Sequence, residues 1–228
     1  MKRALFVRGG RPAHQPVETT EYFREFLESA GFSIQVSDSP AIYSDKALMS
    51  KIDLIVQCIE SEIDEASVQG LLSAVSEGTG FLGWHGGVLV GFPQSEAYYQ
   101  MIGGKFVAHP AKAAAERTGT EDDFFIPHTI EITPQGKLHP ITQVLNNFEL
   151  VTEQYWLLTD PYMSVLATTT QLAREGDPWE SEVTSPAMWT RKWGKGKIFI
   201  CSPGHNLNVV TNDSVATAIR NGLIWASR

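Results

Sequence analysis

Four short apolar runs, Ala4 to Val7, Ile34 to Val36, Leu54 to Ile59 and Phe81 to Trp84, lack regular polar alternation, and each stops at a polar or glycine-containing turn. A strand with one wet face alternates, whereas an unbroken apolar run suits a strand buried on both faces, as in a parallel sheet covered by helices. The segments between the runs supply those helices. Tyr22, Phe23, Phe26, Leu27 and Ala30 recur at three- and four-residue spacing before Gly31, and Val68, Leu71, Leu72 and Val75 do the same before Gly78. This order predicts an α/β fold with a doubly wound, mostly parallel sheet and right-handed crossovers, the first strand being central.

The second half differs. Thr129 to Thr133, Phe148 to Val151 and Val165 to Thr170 are β-rich and joined by loops, which predicts an antiparallel extension of the sheet. Met188 to Lys192 and Lys197 to Cys201 flank Trp193-Gly194-Lys195-Gly196 and read as a hairpin. Asp213 is the expected cap of a last helix striped by Val215, Ile219, Gly222, Leu223 and Ala226. Residues 112–123 and 174–185 carry the weakest ordering signal. With 228 residues and 43% hydrophobic content, residues 1–228 are expected to form one domain.

A formal charge of −8 argues against nucleic acid and anionic membranes as partners. No apolar run approaches the roughly 20 residues of a membrane span. Arg8 cuts short the apolar stretch after Lys2 and Arg3, so the start does not read as an export signal, and a cytoplasmic location is expected. Cys58 and Cys201 each lie in an apolar run and are expected to be buried, reduced thiols.

In Gly83-Trp84-His85-Gly86-Gly87 a buried strand runs into a turn with the spacing of a nucleophile elbow. The residue it presents is His85, so the attacking Ser or Cys of that arrangement is missing and acid–base chemistry takes its place. His205, in Pro203-Gly204-His205-Asn206, also leaves a strand end, where doubly wound sheets bind ligands. Glu153 precedes Tyr155 and Trp156, a setting that desolvates a carboxylate. His14 and His109 lie in loops and are weak candidates alone, and His128 and His139, beside prolines, read as turn residues. Several histidines and one glutamate could serve a divalent metal ion, but no short His-x-x-x-His spacing singles them out. Phosphate-loop and dinucleotide fingerprints are absent from the sequence.

Taken in order, the elbow, Gly103-Gly104 with Phe106 to His109-Pro110, His139-Pro140-Ile141-Thr142, Thr152-Glu153-Gln154-Tyr155, Trp189 to Lys192 with Gly194-Lys195-Gly196-Lys197, and Pro203-Gly204-His205 resemble the trehalose-utilisation (ThuA-like) family. The resemblance covers nearly the whole chain. It implies the flavodoxin-like fold of the class I glutamine amidotransferase-like superfamily, without amidotransferase activity because the elbow lacks Cys. It also implies a role in the metabolism of disaccharides and their keto derivatives, and places the family's His, Glu and His positions on His85, Glu153 and His205, with His14 and His109 nearby.

The expected function is an enzyme of hydrolase, lyase or isomerase type acting on a disaccharide or keto-sugar. His85, Glu153 and His205 would be catalytic, and His14, Trp84, His109, Tyr155, Trp156 and Asn206 would bind a small-molecule carbohydrate, with the aromatics as an apolar wall. The alternative is a non-catalytic sugar-binding or regulatory module on the same fold. The sugar, the reaction type, the metal and the formation of a homo-oligomer stay open.

Overall fold

The computed structural model describes residues 1–175 and 177–228. In chain order the elements are β1 (Arg3–Gly9), α1 (Pro16–Ser29), β2 (Ser33–Ser37), α2 (Lys46–Met49), β3 (Leu54–Ile59), α3 (Glu65–Glu77), β4 (Gly80–Trp84), α4 (Gly86–Leu89), α5 (Glu96–Ile102) and β5 (Gly104–Ala108). There follow β6 (Ile126–Ile132), β7 (Phe148–Thr152), β8 (Trp156–Thr159), β9 (Ser164–Gln171), β10 (Val183–Trp193), β11 (Gly196–Cys201), α6 (Leu207–Val210) and α7 (Asp213–Ala226).

Nine strands form one sheet in the order β2-β1-β3-β4-β11-β10-β9-β6-β7, and β5 pairs with β8 apart from it. The first five of that order are parallel and the last four join antiparallel, through the β10–β11 hairpin. The doubly wound α/β sheet with its antiparallel extension is therefore present. The first strand is not central: β1 lies second from an edge, because every parallel strand after β2 is added on its β3 side.

Strand alternation divides the core into two layers. Ala4 and Phe6 face α1 and α7 through Phe23, Leu27, Ile219 and Leu223, while Leu5 and Val7 face α3 and α5 through Leu71, Val75, Tyr98 and Met101. Two small departures from expectation concern ends. The cap of α7 is Asn212, whose Oδ1 accepts from the backbone N–H groups of Ser214 and Val215, and Asp213 is the first helical residue. The segment 174–185 gives its last residues to β10. Cys58 and Cys201 are free and buried. Among the described residues, no helix is long and apolar enough to cross a membrane.

The parallel strands all point their carboxyl ends to one edge, and there β1, β3, β4 and β11 release His14, Glu60, His85 and His205. Glu153 and Tyr155 reach the same edge from the connection between β7 and β8.

Candidate functional site

His85 leaves β4 at φ 50 and ψ −142, a conformation that L residues rarely adopt, and α4 starts at the next residue. Its backbone N–H donates to the Cys201 carbonyl at 2.9 Å, so β11 continues its hold on β4 through the turn. A side chain at Gly86 would collide with both Glu60 and the His14 ring, which is why the elbow needs glycine immediately after His85. Such strain persists only where the surroundings enforce it, and here it turns the imidazole into a cluster of polar groups.

Four buried residues meet there: His14, His85, Glu153 and His205, each offering one ligand atom, with all four atoms within 4.8 Å of one another. His85 Nε2 lies 3.0 Å from Glu153 Oε2 and 3.2 Å from His205 Nδ1, and His205 Nδ1 is 3.4 Å from the same carboxylate oxygen. The Tyr155 hydroxyl stands 2.9 Å from His85 Nε2, and the two rings stack with centroids 4.3 Å apart. Glu60 Oε1 lies 2.5 Å from His14 Nδ1, in close contact but out of line for an ordinary hydrogen bond. Among the described residues, both ring nitrogens of His14 are buried without a hydrogen-bond partner.

His85 Nδ1 is 3.0 Å from the Ser202 carbonyl oxygen, which can only accept, so Nδ1 carries the hydrogen. Burial pushes the His85 pKa down to about 4 against the opposing pull of Glu153, which favours the neutral ring with Nε2 as an acceptor facing the Tyr155 hydroxyl. Burial alone would raise the pKa of Glu153, but hydrogen bonds from His205 and His85 outweigh it and hold the carboxyl well below its usual range. With its hydrogen on Nδ1, a neutral His85 turns an acceptor toward the Glu153 carboxylate at 3.0 Å, an unfavourable contact that either a proton on Nε2 or a cation between the two atoms relieves. Ligands about 2.1 Å from a tetrahedral divalent ion stand about 3.4 Å apart. The observed separations of 3.0, 3.2 and 3.4 Å fit three such edges, and three His with one carboxylate is a donor set suited to zinc-like ions.

Of the residues expected to bind substrate, His14 and Tyr155 join this cluster, and His109 borders it, with Nε2 3.8 Å from Glu153 Oε1. Burial lowers the His109 pKa. Trp84 is a correction: it is 1% exposed, its ring packs against Phe23 in the core, and it forms no wall of the site, because neighbouring residues at a strand end face opposite ways. Asn206 serves as the cap of α6, its Oδ1 accepting from Val209 N–H at 3.2 Å. Trp156 turns away from the cluster and meets Trp179 edge-on, with centroids 4.9 Å apart. His128 sits within β6 instead of a turn, and His139 packs against Trp225. The sequence reading missed Glu60, as well as Phe124 and Phe125, which lie on His109 and His205 with centroids 4.2 and 4.8 Å away. Glu60 follows the end of β3, the same strand-end position that marked His85, and that was the available signal.

No curated protein matches the chain in sequence. Among solved structures, a ThuA-like protein from Bacteroides uniformis is 17% identical with a TM-score of 0.69, over 99% of this chain and 91% of that one. A cytoplasmic protein from Salmonella typhimurium LT2 is 14% identical with a TM-score of 0.65, over 100% of both chains. A cold-adapted beta-galactosidase from Rahnella sp. R3 is 15% identical with a TM-score of 0.59, and this chain covers 30% of it. At such identities these likenesses show the fold. The family described as ThuA, trehalose utilisation, matches residues 3–226. By that match over nearly its whole length, the chain belongs to the ThuA family, and its role lies in carbohydrate metabolism.

Proposed function

We propose that this chain is a metal-assisted enzyme acting on a disaccharide or keto-sugar. The observation that carries the reading is the buried set of three histidines and one glutamate, whose ligand atoms lie within 4.8 Å of one another, with His85 Nε2 3.0 Å from the Glu153 carboxylate. A buried carboxylate beside a lone pair is costly unless a positive charge lies between them. His14, His85, Glu153 and His205 would hold a divalent cation. When bound, such an ion polarises a carbonyl oxygen or acidifies a bound water.

The roles then shift from those expected at first. His85, Glu153 and His205 become ligands that fix charge, and proton transfer passes to the groups beside them. The Tyr155 hydroxyl, kept protonated by burial, is a donor at the edge of the cluster. His109, flanked by Phe106 and Phe124, borders Glu153 on another side and is the candidate base for a proton on a carbon next to a keto group.

Elemental analysis of protein purified without chelators should find about one divalent ion per chain. A panel of disaccharides and keto-sugars followed by NMR should show turnover that chelation abolishes and the same metal restores. Replacement of Tyr155 by Phe or His109 by Gln should retain the metal while lowering turnover by roughly 100- to 10,000-fold. Metal-free protein with full activity would overturn the metal, and binding of sugar without turnover would leave a binding module.

A further inference from the structure

A cavity of about 220 Å³ opens beside the cluster, and His109 lines it. Arg117, Gln171, Arg174, Asp177 and Trp179 complete the part of the wall that matters here. We infer that this cavity binds the oxyanion of an acidic sugar, either a sugar carboxylate or a sugar phosphate.

Its wall is rich in donors. Among the described residues the arginines in ion pairs are Arg8, Arg11, Arg24, Arg191 and Arg228; Arg117 and Arg174 are not among them. Each instead gives one guanidinium N–H to a backbone carbonyl, Arg117 to Lys112 and Arg174 to Ala111, which anchors both groups and leaves donors over. The one carboxylate in the wall, Asp177, accepts from the backbone N–H of Arg174 at 2.9 Å and offsets only one of the two cations. Among the described residues, Trp179 Nε1 and His109 Nδ1 are buried without hydrogen-bond partners. Buried polar atoms without partners call for an explanation, and a ligand with acceptor oxygens provides one.

Two unpaired guanidiniums on one small cavity are a local exception in a chain of formal charge −8. Arginine matches carboxylate and phosphate by its fork of donors. Because the cavity shares His109 with the border of the cluster, an anion held by the arginines would tether the rest of a sugar toward Glu153. That last step rests on the functional reading above, whereas binding in the cavity does not.

Isothermal titration of the full chain with glucose, glucuronate, glucose 6-phosphate and inorganic phosphate tests the inference. One of the two sugar anions should bind at least about tenfold tighter than glucose and than inorganic phosphate, and which one does so tells carboxylate from phosphate. Arg117→Gln and Arg174→Gln should each weaken that anion about tenfold or more and leave glucose unchanged. Equal binding of glucose, equal binding of inorganic phosphate, or anion binding indifferent to both substitutions would overturn the inference. Chelator-treated protein separates the two readings. Anion binding that persists while metal and turnover prove absent sinks the functional reading alone, and a metal-bound, active protein without anion binding sinks this one alone.

Discussion

Glu60 Oε1 touches His14 Nδ1 at 2.5 Å, joining the end of β3 to the loop after β1 behind the cluster. A carboxylate beside the far nitrogen of a metal-binding histidine fixes the orientation of that ring. Glu60→Gln should leave the fold intact and weaken divalent-ion affinity by about 10- to 100-fold, read by competition with a chromophoric chelator. Unchanged affinity would mean that His14 is held by packing alone.

His85 stands at φ 50, where a Cβ is a burden and glycine is not. In chelator, where the ligand role is removed, His85→Gly should therefore be more stable than His85→Ala by about 1 kcal/mol. Urea melts of the two variants decide it; equal midpoints would show that the turn relaxes once the imidazole is gone.

Gly70 lies in α3 against the backbone of Tyr43, and a Cβ there would overlap the Tyr43 carbonyl oxygen. Helix propensity favours Gly70→Ala by about 1 kcal/mol. Overpacking against backbone that cannot rotate away costs about 1–3 kcal/mol. The clash should win, and a denaturant melt should show net loss of stability.

Burial pushes the Cys58 thiol up to about 12 and raises Cys201 as well, so neither forms thiolate at neutral pH. A thiol reagent should label the native protein far more slowly than the urea-unfolded chain, with two groups released on unfolding. Rapid labelling of either residue in the native state would expose an opening of β3 or β11.

The strands β3 and β4 were legible because every residue in them is buried and both read as largely apolar runs, and the turn after β4 was legible from the glycines at 83, 86 and 87 around the histidine. The strand β8 was not, since Trp156 to Thr159 is four residues long with half its side chains exposed. Pairing with β5 creates that strand, and pairing leaves no mark in local sequence. Glu60 looked like any acidic residue in a loop, because its meaning comes from His14, brought close by the parallel pairing of β1 with β3. Trp84 misled for a different reason: proximity to His85 in sequence was taken for proximity in the site, and the pleat sends adjacent side chains to opposite faces.

The place of β11 beside β4 has a consequence for synthesis. β4 pairs with β3 early, but its other edge is closed only by residues 198–201, and the antiparallel strands attach through β11. On the ribosome, more than a hundred residues must emerge while a hydrophobic strand edge stands open, a state prone to mispairing and to chaperone capture. His205 arrives with that closing strand, so the nascent chain completes the cluster of His14, His85, Glu153 and His205 only as the sheet is sealed.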